Sequence, residues 1–191
     1  MARTTSTGRS RPLRTSSAAD LWEELADGAA GESVLWAEAL LPAGERAAEP
    51  VFSPLGPSGH ALGVETIYEG YLVHYGRPRL FAPADADTAL LLGDYLYAHG
   101  LVRIAAAGDV AAVGDLAELI SLCAQARADD GDGDGPAWAA TAALLGAGEL
   151  EEARAALRDD RDPGPLDRLA REAAGDGSVD LALTAHAKRL G

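Results

Sequence analysis

The chain has 191 residues, is 48% hydrophobic but only 5% aromatic, and carries 30 acidic against 16 basic residues for a net charge of −14. That length supports one domain with a sizeable core, and a composition rich in Ala and Leu but poor in β-branched residues favours an all-α fold. The acidic field opposes phosphate backbones and anionic membranes, which disfavours nucleic acid as a partner, and the single cysteine, Cys123, cannot form an internal disulfide, in keeping with a reducing compartment.

Residues 1–17 are small, polar and basic, with Arg3, Arg9, Arg11 and Arg14 and no periodicity, and read as a disordered tail. The tail lacks the apolar stretch of a secretory signal, and no apolar run is long enough to span a bilayer, so the expected location is cytoplasmic. Ser17 can cap a first helix carrying Leu21, Trp22 and Leu25, which Gly28 and Gly31 are expected to interrupt. A second short helix is expected over 33–41, with Trp36 as a core anchor. Residues 42–59 contain Pro42, Pro50, Pro54 and Pro57 with glycines between them and read as an extended connector inside a helical domain running from 18 to 191.

A helix over 60–75 brings Val64, Ile67, Tyr68, Tyr71 and Tyr75 to one side, and Gly76 with Pro78 ends it. That tyrosine face is either core with its hydroxyls at the rim or the wall of an apolar-ligand site closed by Leu92 and Leu96. Residues 88–107 are apolar on nearly all sides, as expected of a central buried helix. Gly108 suits its C-terminus and Asp109 the N-cap of the next helix, 110–128, so the two should form a central antiparallel hairpin, 88–107 against 109–128. Within it Asp94 shares a stripe with Leu90, Tyr97, Leu101 and Ile104. A carboxylate buried there would need a partner, and Tyr97, Arg77 and Arg79 are the candidates.

Residues 129–135, DDGDGDG, read as a flexible acidic linker. Asp130, Asp132, Asp134 and Gly135 match the opening of a calcium loop, but its bidentate glutamate would fall at Thr141, which has no carboxylate, so no metal site is assigned. Further helices follow over 138–146, 149–158 and 166–173, with a last one capped by Ser178 and running to Leu190. The four histidines lie on separate elements without metal-ligand spacing, Cys123 sits on an apolar helix face, and no nucleotide-binding or nucleophile motif is present. No catalytic residue is assigned.

IYEGYLVH at 67–74, Gly76-Arg77-Pro78, LLLGDYLYA at 90–98 and LISLCAQ at 119–125, with a fainter TAALLGAG at 141–148, occur in that order. Together they make residues 67–148 resemble the trans-isoprenyl diphosphate synthases, the polyprenyl synthetase family of helical enzymes. The resemblance implies a reduced isoprenoid-synthase-like bundle, and candidate ligand contacts at Tyr68, Tyr71, Tyr75, Arg77, Arg79, Asp94 and Gln125. The family holds magnesium between two aspartate-rich motifs, where the metals stabilise the departing diphosphate. Here His74 is followed directly by Tyr75 and Gly76, and Asp159, Asp160 and Asp162 precede a Pro-Gly-Pro turn, so neither motif has a counterpart. The expectation is a chain without prenyl transfer, with no cofactor and with magnesium only if that activity were retained. It would act as partner or regulatory subunit of another protein such as a prenyl synthase, or as a homo-oligomer. The alternatives are an isoprenoid carrier and an unrelated acidic helical adaptor.

Overall fold

The computed structural model describes residues 18–190, so the expected basic tail and the Ser17 cap lie outside the described residues. Within them the backbone is helical: α1 (Ala18–Glu32), α2 (Val34–Ala39), α3 (Ala61–Tyr75), α4 (Ala86–Ala106), α5 (Val110–Ala128), α6 (Asp134–Ala143), α7 (Glu151–Asp160), α8 (Gly164–Ala174) and α9 (Asp176–Leu190). These form an all-α, single-domain bundle without a named strand among the described residues. Side-chain caps set several of its starts: Ser33 accepts from Leu35 N–H, Asp85 from Thr88 N–H and Asp109 from Ala112 N–H. Gly108, at φ +81°, supplies the left-handed residue that lets α4 stop and α5 begin two residues later.

Two expected boundaries are corrected. Gly28 and Gly31 do not interrupt α1, whose Trp22, Leu25 and Ala29 bury one continuous face. Gly28 also leaves room for the Arg103 guanidinium, which pairs with Glu24 at 3.0 Å. The acidic stretch is not linker throughout, because Asp134 and Gly135 are buried in the first turn of α6. The last helix likewise begins at Asp176, ahead of Ser178.

Two apolar clusters share α3. One gathers Phe52, Tyr68, Tyr71 and Trp138 with the inner faces of α5 to α9; the other gathers Trp22, Leu25, Trp36 and Phe81 with Leu92 and Leu96 of α4. The closest helix pair is α3 with α4, where Gly63 and Gly70 face Gly100 and Gly93. A Cβ on Gly70 would lie 2.9 Å from Gly93 O, and one on Gly100 2.9 Å from Gly63 O. Seven-residue spacing on both helices keeps these glycines on one side, so the missing side chains set how near the backbones come.

That approach decides which face of α4 is inside. Leu92, Gly93, Leu96, Gly100 and Ile104 are buried, whereas Leu90, Leu91 and Val102 are 55%, 56% and 64% exposed. The expectation of a helix buried on all sides is therefore overturned for its outer face. The connector 42–59 is ordered by short 3₁₀ turns at Ala43–Glu45, Ser53–Leu55 and Ser58–His60 and by a bond to the loop after α3, Ala47 N–H donating to Arg79 O at 3.1 Å; just before it, Leu41 N–H donates to Leu80 O at 2.8 Å and Ala82 N–H to Ala39 O at 2.7 Å.

Candidate functional site

The polar chemistry of the molecule concentrates on α3, in two buried networks. Glu65 and Glu69 lie one turn apart on the helix and are fully buried, as is Arg79 from the following loop. Arg79 donates from Nη1 to Glu65 Oε2 at 2.5 Å and from Nε to Glu69 Oε2 at 2.9 Å. Backbone N–H groups satisfy the remaining carboxylate oxygens. Val51 and Ser53 each donate to Glu65 Oε1 at 3.0 Å, while Arg79 and Leu80 donate to Glu69 Oε1 at 2.8 and 2.7 Å.

The guanidinium is sandwiched between the rings of Trp22, at 4.5 Å, and Tyr68, at 4.9 Å. Burial works to lower its pKa, but the two carboxylates more than offset this and raise it. Arg79 is thus held as a cation and saturated by the protein itself. Its chemistry here is to tie two loops to α3.

The second network joins four helices. Tyr71 donates its hydroxyl proton to Asp134 Oδ2 and accepts from Arg127 Nε and Nη2 at 3.1 and 2.9 Å, while Arg127 Nη2 also donates to Asp134. Tyr68 Oη lies 3.0 Å from His186 Nδ1, and His186 Nε2 is 3.7 Å from Asp134 Oδ1, beyond hydrogen-bond reach. Burial would raise the Asp134 pKa, but His186, Tyr71 and Arg127 outweigh it and hold the carboxyl well below its usual range. Burial and the neighbouring Asp134 push Tyr71 upward, so it stays a neutral donor. A third buried pair, Arg154 with Asp115 at 3.0 Å, anchors α7 to α5, and Gly146 N–H adds a bond to Asp115 at 2.8 Å.

The candidate residues therefore disperse. Tyr68 and Tyr71 face Phe52, Trp138 and His186, with ring centroids 5.1 to 5.8 Å apart, and not Leu92 and Leu96, which belong to the other cluster. The expected ligand wall is occupied by these side chains. Tyr75 is half-buried beside Tyr71 and His74. Arg77 is exposed, and its side chain and backbone N–H donate to the Lys188 and Arg189 carbonyls at the end of α9. Gln125 is exposed on α5, away from Arg79 and beside Asp129 and Arg158.

Asp94 is corrected most. It is not a buried carboxylate, since its side chain is 67% exposed, and its partner is His74, with Nε2 3.3 Å from Oδ1, not Tyr97, Arg77 or Arg79. His74 reaches it because Gly93 has no Cβ to block the imidazole. Burial lowers the His74 pKa and Asp94 only partly restores it.

Sequence reading missed Glu65, Glu69, Arg127 and His186. Glu65 and Glu69 offered a signal, two acids one turn apart in an otherwise apolar helix with an arginine ten residues beyond. Arg127 and His186 offered none, because their partner Asp134 lay in what read as linker. Among the described residues, no group of three or more His, Cys, Asp and Glu side chains is placed to hold a metal ion, and no helix is long and apolar enough to cross a membrane. The chain matches no family model, no curated protein and no solved structure.

Proposed function

We propose that this chain is a non-catalytic partner of another protein, binding a basic amphipathic helix of that protein along the outer face of α4. The observation that carries this is the exposure of Leu91 and Val102, 56% and 64%, on one stripe of a 21-residue helix whose opposite face is packed against α3. Leu90 flanks that stripe, and Ala98 and Ala105 continue it as small apolar positions. A shallow apolar strip of this kind suits a helix laid along it.

Charge selects the occupant. Asp87 and Asp94 border the strip, so lysine or arginine beside the partner's apolar residues would meet carboxylates. A second copy would bring another −14 and would be repelled, which favours a heterologous basic partner over a homodimer. The narrower form of the reading, in which the partner is a prenyl synthase, rests on the resemblance over residues 67–148 alone.

The test is co-elution of the full chain with a prenyl synthase of the same genome, with product chain length measured in the mixture. Expected is a complex and a changed product distribution, both abolished by Leu91→Lys with Val102→Lys. Those exposed positions should leave the melting temperature within a few degrees of wild type. Absence of a complex would sink the synthase assignment, and a complex indifferent to the double substitution would sink the α4 face.

A further inference from the structure

Away from α4, a groove runs between α9 and the Pro50–Leu55 part of the connector. It comprises two adjoining cavities, of about 500 Å³ and about 260 Å³, whose linings share Pro50, Val51, Leu181 and Ala185. Their remaining linings differ in chemistry. The larger cavity adds Arg77, Lys188 and Arg189, with Thr184 and a single acid, Glu49; the smaller adds Pro54, Leu55 and Ala182, with Ser178 its one hydroxyl.

Three cations meeting at one end of a groove are unusual in a chain with 16 basic residues and a net charge of −14. Part of that charge answers the negative end of α9, because the Arg77 side chain and backbone N–H cover the Lys188 and Arg189 carbonyls. Lys188 is exposed and Arg189 half-buried, and both extend the positive end beyond what those carbonyls need. Where the two cavities meet and into the smaller one the floor is apolar and sequestered, with Val51 6% and Ala182 4% exposed, while Leu181 stands 75% exposed as a lip. From Ser178 to Lys188 the helix advances about 15 Å, enough to separate a charged head from an apolar tail.

The geometry points to a binding site for a single-chain anionic amphiphile, with a phosphate head at Arg77, Lys188 and Arg189 and the hydrocarbon chain along Leu181, Val51 and Pro54. Neither end suffices alone. The basic end is open to water, where an isolated phosphate contact is screened, and the apolar end is too small to retain an uncharged chain strongly. Binding both at once makes the second contact intramolecular.

The experiment is calorimetric titration of the full chain with dodecyl phosphate below its micelle-forming concentration, alongside inorganic phosphate, dodecanol and vesicles containing phosphatidic acid. Expected is saturable binding of dodecyl phosphate, with each half-ligand weaker by about tenfold or more. Lys188→Gln, and separately Leu181→Asp, should each weaken dodecyl phosphate by about tenfold while leaving circular dichroism unchanged and melting within a few degrees, since Leu181 and Lys188 are exposed. Equal binding of phosphate and dodecyl phosphate would overturn the site, as would binding only to vesicles, no binding, or binding unaffected by these substitutions.

Discussion

Gly70→Ala tests the contact that places α4. An ideal Cβ at position 70 would sit 2.9 Å from Gly93 O and 3.1 Å from Leu96 Cβ, whereas ordinary van der Waals contact begins at 3.4 Å. Neither neighbour is the free end of a side chain, so no rotamer change relieves the overlap; the helices must part by several tenths of an ångström along their seam. Alanine gains about 1 kcal/mol over glycine in a helix interior. Overpacking a close contact costs about 1–3 kcal/mol. The expected net is a loss of about 0–2 kcal/mol, or at most about 8 °C in melting temperature for a chain of this size. Gly114→Ala on α5 is the control, because a Cβ there meets nothing within 4 Å. It should gain about 0.5–1 kcal/mol, since only the propensity change operates. Urea and thermal unfolding followed by circular dichroism measure both. Should Gly70→Ala stabilise by the same increment as Gly114→Ala, the close approach of α3 and α4 would be refuted.

Arg79→Met should destabilise by about 3–5 kcal/mol, because it leaves Glu65 and Glu69 buried beside one another without their cation, and Arg79→Lys should recover little, since an ammonium cannot span both carboxylates. Unfolding in urea checks this, and a full rescue by lysine would contradict the bidentate role. Asp134→Asn should cost about 2–3 kcal/mol at neutral pH. The folded carboxyl titrates below its unfolded value of about 4, so the wild-type contribution is complete above that pH and is lost as pH falls toward the folded pKa. The two proteins should therefore converge in strong acid, and a constant gap down to about pH 2 would count against the network. His74 is depressed by burial, so the unfolded chain binds the proton more readily and stability should fall as pH drops below about 6.5. Asp94→Asn should lower the His74 pKa further, seen by NMR titration, yet cost about 0–1 kcal/mol because the aspartate is largely exposed.

Helix identity was legible wherever local chemistry decided it. Asp109 and Gly108 mark the α4–α5 junction because a side-chain cap and a left-handed glycine act within a few residues. What escaped was the orientation of α4. Apolar residues surround that helix in sequence, and the face that packs is marked by Gly93 and Gly100, residues that carry no hydrophobic signal at all. Asp94 followed the same error to the wrong side. The connector read only as extended, because much of its order comes from Glu65, twelve residues beyond Ser53, accepting backbone protons that no local pattern reveals. Asp134 resembled calcium-loop chemistry for a similar reason: its partners, Tyr71 and Arg127, arrive from other helices.

Because α3 contributes Tyr68 and Tyr71 to one apolar cluster and Val73 to the other, it is a wall common to two rooms. Neither cluster can open fully without exposing part of that wall, and Glu65 and Glu69 additionally hold the loops on either side of it. The expected consequence is a single cooperative unfolding event in place of two, with the slowest amide exchange along α3. A substitution inside α7 or α8 would disturb one cluster, whereas a change in α3 would be felt by both at once.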